Sequence, residues 1–389
     1  MKITDIRDAS CPIKSDIRNA FISFAEMTVS VVAVETDVVR DGAPITGYGF
    51  SSNGRYAQSA ILRERFLPRL WKAGAGDLID GTRDNFDAGK IWQTFMANEK
   101  PGGHGDRAHA AGALDMAVWD AIAKIAGQPL WQLLSERFND GKADTEVMVY
   151  PGGGYYYPGK EIEGLQAEMR GYQEQGYSVV KMKIGGADLK TDVARIESVI
   201  DVTGSGALVA VDANGRFDLD TALDYGKALT PYDLFWFEEP GDPLDFQLNA
   251  ELGRHYGPPL ATGENLFSHQ DGRNLLLFGG LRVDRDWIQI DPALSYGLTE
   301  YLKFMEIIDD MGWSRRRLIP HGGHQFALNM AAGLQLGGSE SYPGVFQPFG
   351  GFADDHKIEN GYATLPDAPG IGIELKTDLI NLLRKTLNA

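Results

Sequence analysis

From about residue 146 onward the chain carries short apolar runs, each closed by a charged or polar residue. They read EVMVYPGGG, SVVKMKIGG, LVAVDANG, LFWFEEP, PLATGEN, DWIQIDPA and RLIPHGG. Runs of this length, rich in Val and Ile and without strict alternation, predict strands buried on both faces, as in a parallel sheet. Six of them end in Lys183, Asp212, Glu238, Glu264, Asp291 and His321, spaced 26 to 30 residues apart. That spacing accommodates one strand, one helix and two short loops. The intervening stretches support helices: in DLKTDVARIESVI, Val193, Ile196, Val199 and Ile200 fall on one face. SESY, 339–342, adds a further strand after QFALNMAAGLQLG. About eight βα units in a row predict an α/β fold with a closed TIM-type barrel, whose functional side chains gather at the C-terminal ends of the strands.

The first 135 residues break this rhythm. FISFAEMTVSVVAVETD and APITGYGF read as strands, the latter running into a glycine-containing loop, and KPGGHGDRAHAAG as a glycine-rich loop entering a helix. GALDMAVWDAIAKIAGQPLWQLL predicts an amphipathic helix, with Leu114, Val118, Ala121, Ile122 and Ile125 at helical spacing and Asp120–Lys124 as an i, i+4 pair. Gly127 and Pro129 stop it. The expected organisation is a first domain over 1–135, a barrel over 136–354 and a C-terminal segment over 355–389.

Charge and composition narrow the chemistry. A formal net charge of −17 argues against nucleic acid and anionic membrane as partners. A single cysteine, Cys11, permits no internal disulfide and suits a reducing, cytoplasmic setting. No apolar run is long enough to span a bilayer, and the N-terminus lacks the apolar core of a signal peptide.

The strand-end residues form a set. One acid alone is as readily a strand-end cap or an ion-pair partner. Asp212, Glu238 and Glu264 on three successive units would repel one another without a cation, and their hard oxygens suit Mg²⁺. Glu239, adjacent to Glu238, points the other way and is expected to be structural. Lys181 and Lys183 are two apart, so they share a face of their strand. Burial and a neighbouring ammonium both lower a lysine's pKa, which makes Lys183 a candidate general base, with Lys181 tuning it and reaching towards substrate. Asp291 ends the strand before that of His321, where it would orient the imidazole as a general acid or base opposite Lys183. His324, a helical turn further on, is expected not to be catalytic. Glu340 stands either to hydrogen-bond a substrate carboxylate or to serve the structure, and Asn214 in VDAN is a candidate substrate contact.

With KMK, VDAN, WFEEP, TGEN, IDPALSYGLTE and PHGGH in this order, nearly the whole chain resembles the enolase superfamily, mandelate racemase subgroup. The resemblance implies a (β/α)7β barrel with an α+β cap built from the N-terminal region and the C-terminal tail. It implies Mg²⁺ held by Asp212, Glu238 and Glu264, and abstraction of an α-proton from a carboxylate to give a metal-stabilised enediolate, the chemistry known for that superfamily. Loops around Gly49–Arg55 and SCPIKSD are expected to close over the site. A double glycine usual in the family after the sixth strand is Tyr296-Gly297 here. A muconate-lactonizing type would carry lysine on the sixth strand. Asp291 paired with His321 points instead to the mandelate racemase pattern. The implied activity is dehydration of an acid sugar, with D-tartrate to oxaloacetate favoured, alongside racemisation of a 2-hydroxy acid or dehydration of a longer diacid such as galactarate. A small diacid would need a second cation for its distal carboxylate, and Lys100 is the candidate, beside its plain reading as a solvated surface lysine. Relatives of this fold are commonly homo-oligomers.

Overall fold

The computed structural model describes the chain up to residue 388, apart from 14, 16, 18, 20–22, 26, 53–57, 158, 160 and the side chain of Ala75. The N-terminal part opens with three antiparallel strands, β1 (Ile3–Pro12), β2 (Thr28–Arg40) and β3 (Ala43–Phe50), in the order β1-β2-β3. Helix α1 (Gln58–Ile61) passes through a π-turn at Leu62–Phe66 into α2 (Leu67–Lys72). Then come α3 (Ala88–Phe95), α4 (Asp106–Ala126) and α5 (Leu130–Phe138).

The barrel alternates β4 (Glu146–Gly153), α6 (Ile162–Glu174), β5 (Val180–Lys183), α7 (Leu189–Thr203), β6 (Val209–Asp212), α8 (Leu219–Leu229), β7 (Trp236–Glu238), α9 (Phe246–His255), β8 (Leu260–Thr262), α10 (His269–Phe278), β9 (Trp287–Ile288) and α11 (Leu298–Asp310). Neighbouring strands from β4 to β9 pair in parallel. The seventh position is held by a single bridge, Ile288 to Leu318, and is followed by α12 (Gln325–Gly333). Strand β10 (Ser339–Ser341) pairs in parallel with β4 and closes the ring. Buried Val180, Val209, Trp236 and Leu260 explain the apolar runs.

Helix α4 departs from the amphipathic expectation. Residues 108–123 are buried around its whole circumference, because it lies between the cap sheet and the barrel. Gly47 and Gly49 of β3 make this possible: a Cβ on either would fall 2.0 or 2.1 Å from the carbonyl oxygen of Ala117 or Ala113. On its far side, a Cβ on Gly112 would fall 2.3 Å from the oxygen of Ala293. Asp120 pairs with Lys124 at 2.6 Å and also accepts from the amides of Tyr48 and Ile371. Gly127, at φ +72°, ends the helix in the left-handed conformation that favours glycine.

The C-terminal stretch divides between the two halves. A hairpin of β11 (Ile358–Glu359) and β12 (Tyr362–Thr364) adds antiparallel to β4. Helix α13 (Thr377–Leu387) packs instead on β1 and β2, where Arg7 donates to the oxygen of Asn388 at 2.8 Å. Of the stretches expected to close over the site, residues 14 and 16 and residues 53–55 lie outside the described residues. Among those described, no helix is long and apolar enough to cross a membrane.

Candidate active site

Strand register aligns the first three polar side chains. Lys183 sits opposite Asp212 across β5 and β6, and Asp212 opposite Glu238 across β6 and β7. Glu264 lies two residues beyond the end of β8. One carboxylate oxygen from each of Asp212, Glu238 and Glu264 falls within 4.8 Å of the others. The trio fits a hard divalent cation. Glu264 Oε2 is buried and accepts no hydrogen bond. Burial, then repulsion from Asp212, push Glu238 up to about 8, so three ionised acids here call for a compensating positive charge. The indole N–H of Trp236 donates to Glu238 Oε2 at 2.8 Å and fixes its orientation. Glu239, at φ +38°, turns aside and accepts from Asn265 Nδ2 at 3.0 Å.

The two lysines share a face, as their spacing requires, but at different depths. Lys181 is fully buried and pairs with Glu238 and Glu340, each at 2.7 Å. It does not line the cavity above, so the expected reach towards substrate is not seen. The reason is that its ammonium is spent on neutralising two buried acids. Lys183 does line that cavity, with its Nζ against Asp212 Oδ2 and 5.5 Å from the centre of the Tyr155 ring. The lowered lysine pKa expected from the pair is opposed by the acids around it. Burial and Lys181 favour the neutral amine, but Asp212 outweighs them and holds Lys183 above its ordinary value. Asp212 correspondingly falls to about 2: burial opposes this, and Lys183 and then Lys181 overcome it.

His321 Nδ1 lies 2.9 Å from Asp291 Oδ2, which sets its tautomer and leaves Nε2 facing the cavity. Nε2 is 3.3 Å from Glu264 Oε2 and 3.5 Å from Glu340 Oε2. Burial works against charging the ring, but Glu264, Glu340 and Asp291 outweigh it and raise His321 to about 10. Asp291 begins a tight turn, accepting from the amide of Ala293 at 2.7 Å. His324 takes no part: it caps α12, its Nδ1 accepting from the amide of Ala327.

The cavity, about 340 Å³, is lined by Lys183, His321, Glu264 and Asn214 on the barrel side. Asn214 is held by hydrogen bonds from its own amides to Asp212. Tyr155, Asn265, Tyr342 and Phe346 line it too, as do Asn19 and Phe24 from the cap segment between β1 and β2. None of these six stands out in the sequence by charge. Tyr342 alone carried a signal, two residues after Glu340. Glu340 lies beneath the cavity with Lys181. Lys100 is not brought to the site: it is exposed on the loop after α3, where its carbonyl accepts from Arg107. Tyr296, at φ +62°, turns its hydroxyl to His104 on that same loop at 3.0 Å and to Arg107 at the start of α4 at 2.7 Å.

Comparison with known proteins places this geometry among relatives. Residues 4–135 match the mandelate racemase / muconate lactonizing enzyme N-terminal domain, and residues 164–379 match the enolase C-terminal domain-like family. The chain is 29% identical to 3,6-anhydro-alpha-L-galactonate cycloisomerase of Streptomyces coelicolor, over 88% of each protein. It is 26% identical to L-talarate/galactarate dehydratase of Salmonella typhimurium, over 94% of this chain and 87% of that one. The crystal structure of L-talarate dehydratase from Polaromonas sp. JS666, complexed with Mg and L-glucarate, superposes with a TM-score of 0.75 at 27% identity, covering 95% of this chain and 94% of that one.

Proposed function

Because this chain belongs to the mandelate racemase / muconate lactonizing enzyme family of the enolase superfamily, we propose that it is a Mg²⁺-dependent acid-sugar dehydratase, with D-tartrate as the favoured substrate and oxaloacetate as product. One observation carries the reading: a lysine and an aspartate-backed histidine line the same cavity as an acid of the carboxylate trio. Bound by Asp212, Glu238 and Glu264, Mg²⁺ would supply Lewis-acid polarisation of the substrate's carboxylate oxygens. With Asp212 drawn to the cation, Lys183 Nζ would be released to its neutral form, the form that takes the proton from the α-carbon. His321 Nε2 delivers a proton to the β-hydroxyl, which leaves as water, and the enol so formed tautomerises to a 2-keto acid. Asp291 holds the imidazole in the tautomer that allows this. The relatives named as acid-sugar dehydratases and the magnesium in a homologous structure support the class and the cofactor. The choice of tartrate rests on the resemblance of the motif set. With Lys100 outside the cavity, Asn19, Asn214, Asn265 and Tyr155 are among the neutral polar side chains that line it towards a distal carboxylate.

The test is a 2-keto acid assay with Mg²⁺ across a panel of acid sugars that includes every tartrate stereoisomer and galactarate. Turnover of D-tartrate alone supports the full reading. Turnover of a six-carbon diacid keeps the dehydratase and discards tartrate. No keto acid from any member, with α-deuterium incorporated from D₂O, replaces the dehydratase by a racemase.

A further inference from the structure

Three glycines, Gly152 on β4 and Gly323 and Gly350 on loops, make room for one side chain. A Cβ on Gly323 would fall 2.3 Å from the Tyr342 ring, one on Gly152 2.6 Å from it, and one on Gly350 2.8 Å from Tyr342 Cβ. At 2% exposure, Tyr342 is enclosed on its remaining sides. The backbone has been pared away to seat this ring, and the seat delivers its hydroxyl to 3.3 Å from His321 Nε2. That is the nitrogen on the cavity side, from which a proton can pass to a ligand, since Nδ1 is committed to Asp291. Glu264 and Glu340 also face Nε2, each as a carboxylate drawing the ring towards itself. Tyr342 offers the same atom a neutral hydroxyl.

The seat connects to the cap. The Tyr342 ring meets Phe346 edge-on, with centroids 5.0 Å apart at 79°, and Phe346 meets Phe24 at 5.0 Å and 73°. Phe24 belongs to the segment between β1 and β2. Phe346 holds φ +54°, a left-handed conformation that is strained for a bulky residue. Strain of this kind persists where the surroundings impose it, commonly beside a functional site.

We propose that Tyr342 is a positioning residue: its hydroxyl fixes the Nε2 side of His321 for proton delivery, and the Phe24–Phe346 contact fixes Tyr342, so the cap sets the aim of the barrel's acid. The catalytic meaning rests on the dehydratase reading, whereas the positioning itself can be read without turnover.

The experiment uses the full chain labelled with ¹⁵N-histidine, with His321 assigned by its loss in His321→Asn. Tyr342→Phe keeps the ring in its seat and removes only the hydroxyl. It should shift the His321 Nε2 resonance and leave Nδ1, at Asp291, in place. Phe24→Leu, which does not touch His321, should shift Nε2 in the same sense. An unmoved Nε2 in Tyr342→Phe overturns the hydroxyl contact, and an unmoved Nε2 in Phe24→Leu overturns the link to the cap. In turnover, Tyr342→Phe should lower kcat for water loss about tenfold, the scale of one hydrogen bond. KM and the Lys183-dependent exchange of the α-proton in D₂O should be unchanged. Equal loss of exchange and of water loss would overturn a role confined to His321. If the wild type neither exchanges nor dehydrates any acid sugar, the functional reading falls while the resonance shifts still decide the positioning.

Discussion

Separate roles for Lys183 and His321 predict separable losses. Lys183→Ala should abolish α-proton exchange with D₂O and dehydration together, by at least the 10²-fold typical of a general base. His321→Asn should stop dehydration yet leave exchange measurable by NMR. Exchange at the wild-type rate in Lys183→Ala would remove that residue from its role. A different histidine governs acid stability. Burial is the largest influence on His324 and lowers it to about 4; His321 adds to the lowering, and Asp291 and Glu340 oppose it. A folded-state pKa below the ordinary 6.5 stabilises fully above about pH 6.5, and that stability is lost as pH falls towards 4. Between pH 7 and pH 5 the wild type should lose about 2 kcal/mol more than His324→Asn, which keeps a capping side chain without the titration. Urea unfolding at the two pH values measures this, and parallel losses would refute it. The residues legible in the sequence were those whose charge is costly to bury: the acids, Lys183 and His321 with Asp291. Tyr155 and Phe346 line the same cavity without such a cost, so nothing in their local sequence separates them from ordinary core aromatics, and Tyr342 is marked only by its place two residues after Glu340. Lys181 was legible as a partner of Lys183 by spacing, but its depth depends on Glu340 of β10, far along the chain.

At the scale of elements, α4 couples the cap to the histidine. Gly112 lies against the backbone of Ala293, whose amide donates to Asp291 Oδ1. Asp115, one turn on, accepts from the amide and hydroxyl of Thr299 and so caps the start of α11. Gly112→Ala would drive a methyl group into the Ala293 carbonyl and move the turn that carries Asp291. Dehydration should fall more than tenfold, with α-proton exchange largely kept. Overpacking of this kind costs about 1–3 kcal/mol, which a melting curve would register. Loss of exchange in step with dehydration would show a general collapse of the site instead. The alternation of strand and helix could be read from the sequence because each strand ends on a polar residue at nearly constant spacing. The all-round burial of α4 could not, because it depends on Gly47 and Gly49, distant in sequence, letting a sheet approach one side while the barrel takes the other. The seventh strand, reduced to one bridge at Leu318, was legible through the residue it presents, His321.

For the whole molecule, the carboxylate trio makes stability depend on metal. A ligand held only by the folded state stabilises it by about 2.7 kcal/mol at a hundred times its Kd. Mg²⁺ should raise the melting temperature by a few degrees in the wild type, and Glu264→Gln should lose most of that rise. An equal rise in both proteins would place the cation elsewhere. The net charge of −17 leaves the global field unfavourable to an anionic substrate, so attraction at the site depends on the cation, Lys183 and His321.

The division of the C-terminal stretch has a consequence in time. A ribosome that has made residues 1–376 has made every strand of the barrel and its hairpin, but not the helix that covers β1 and β2. The cap begins ahead of the barrel in the chain and is completed only after it, since Leu379, Ile380, Leu383 and Leu387 are buried in α13. During synthesis the sheet flanking the segment of Phe24 must wait, one face bare, for a helix made after the whole barrel.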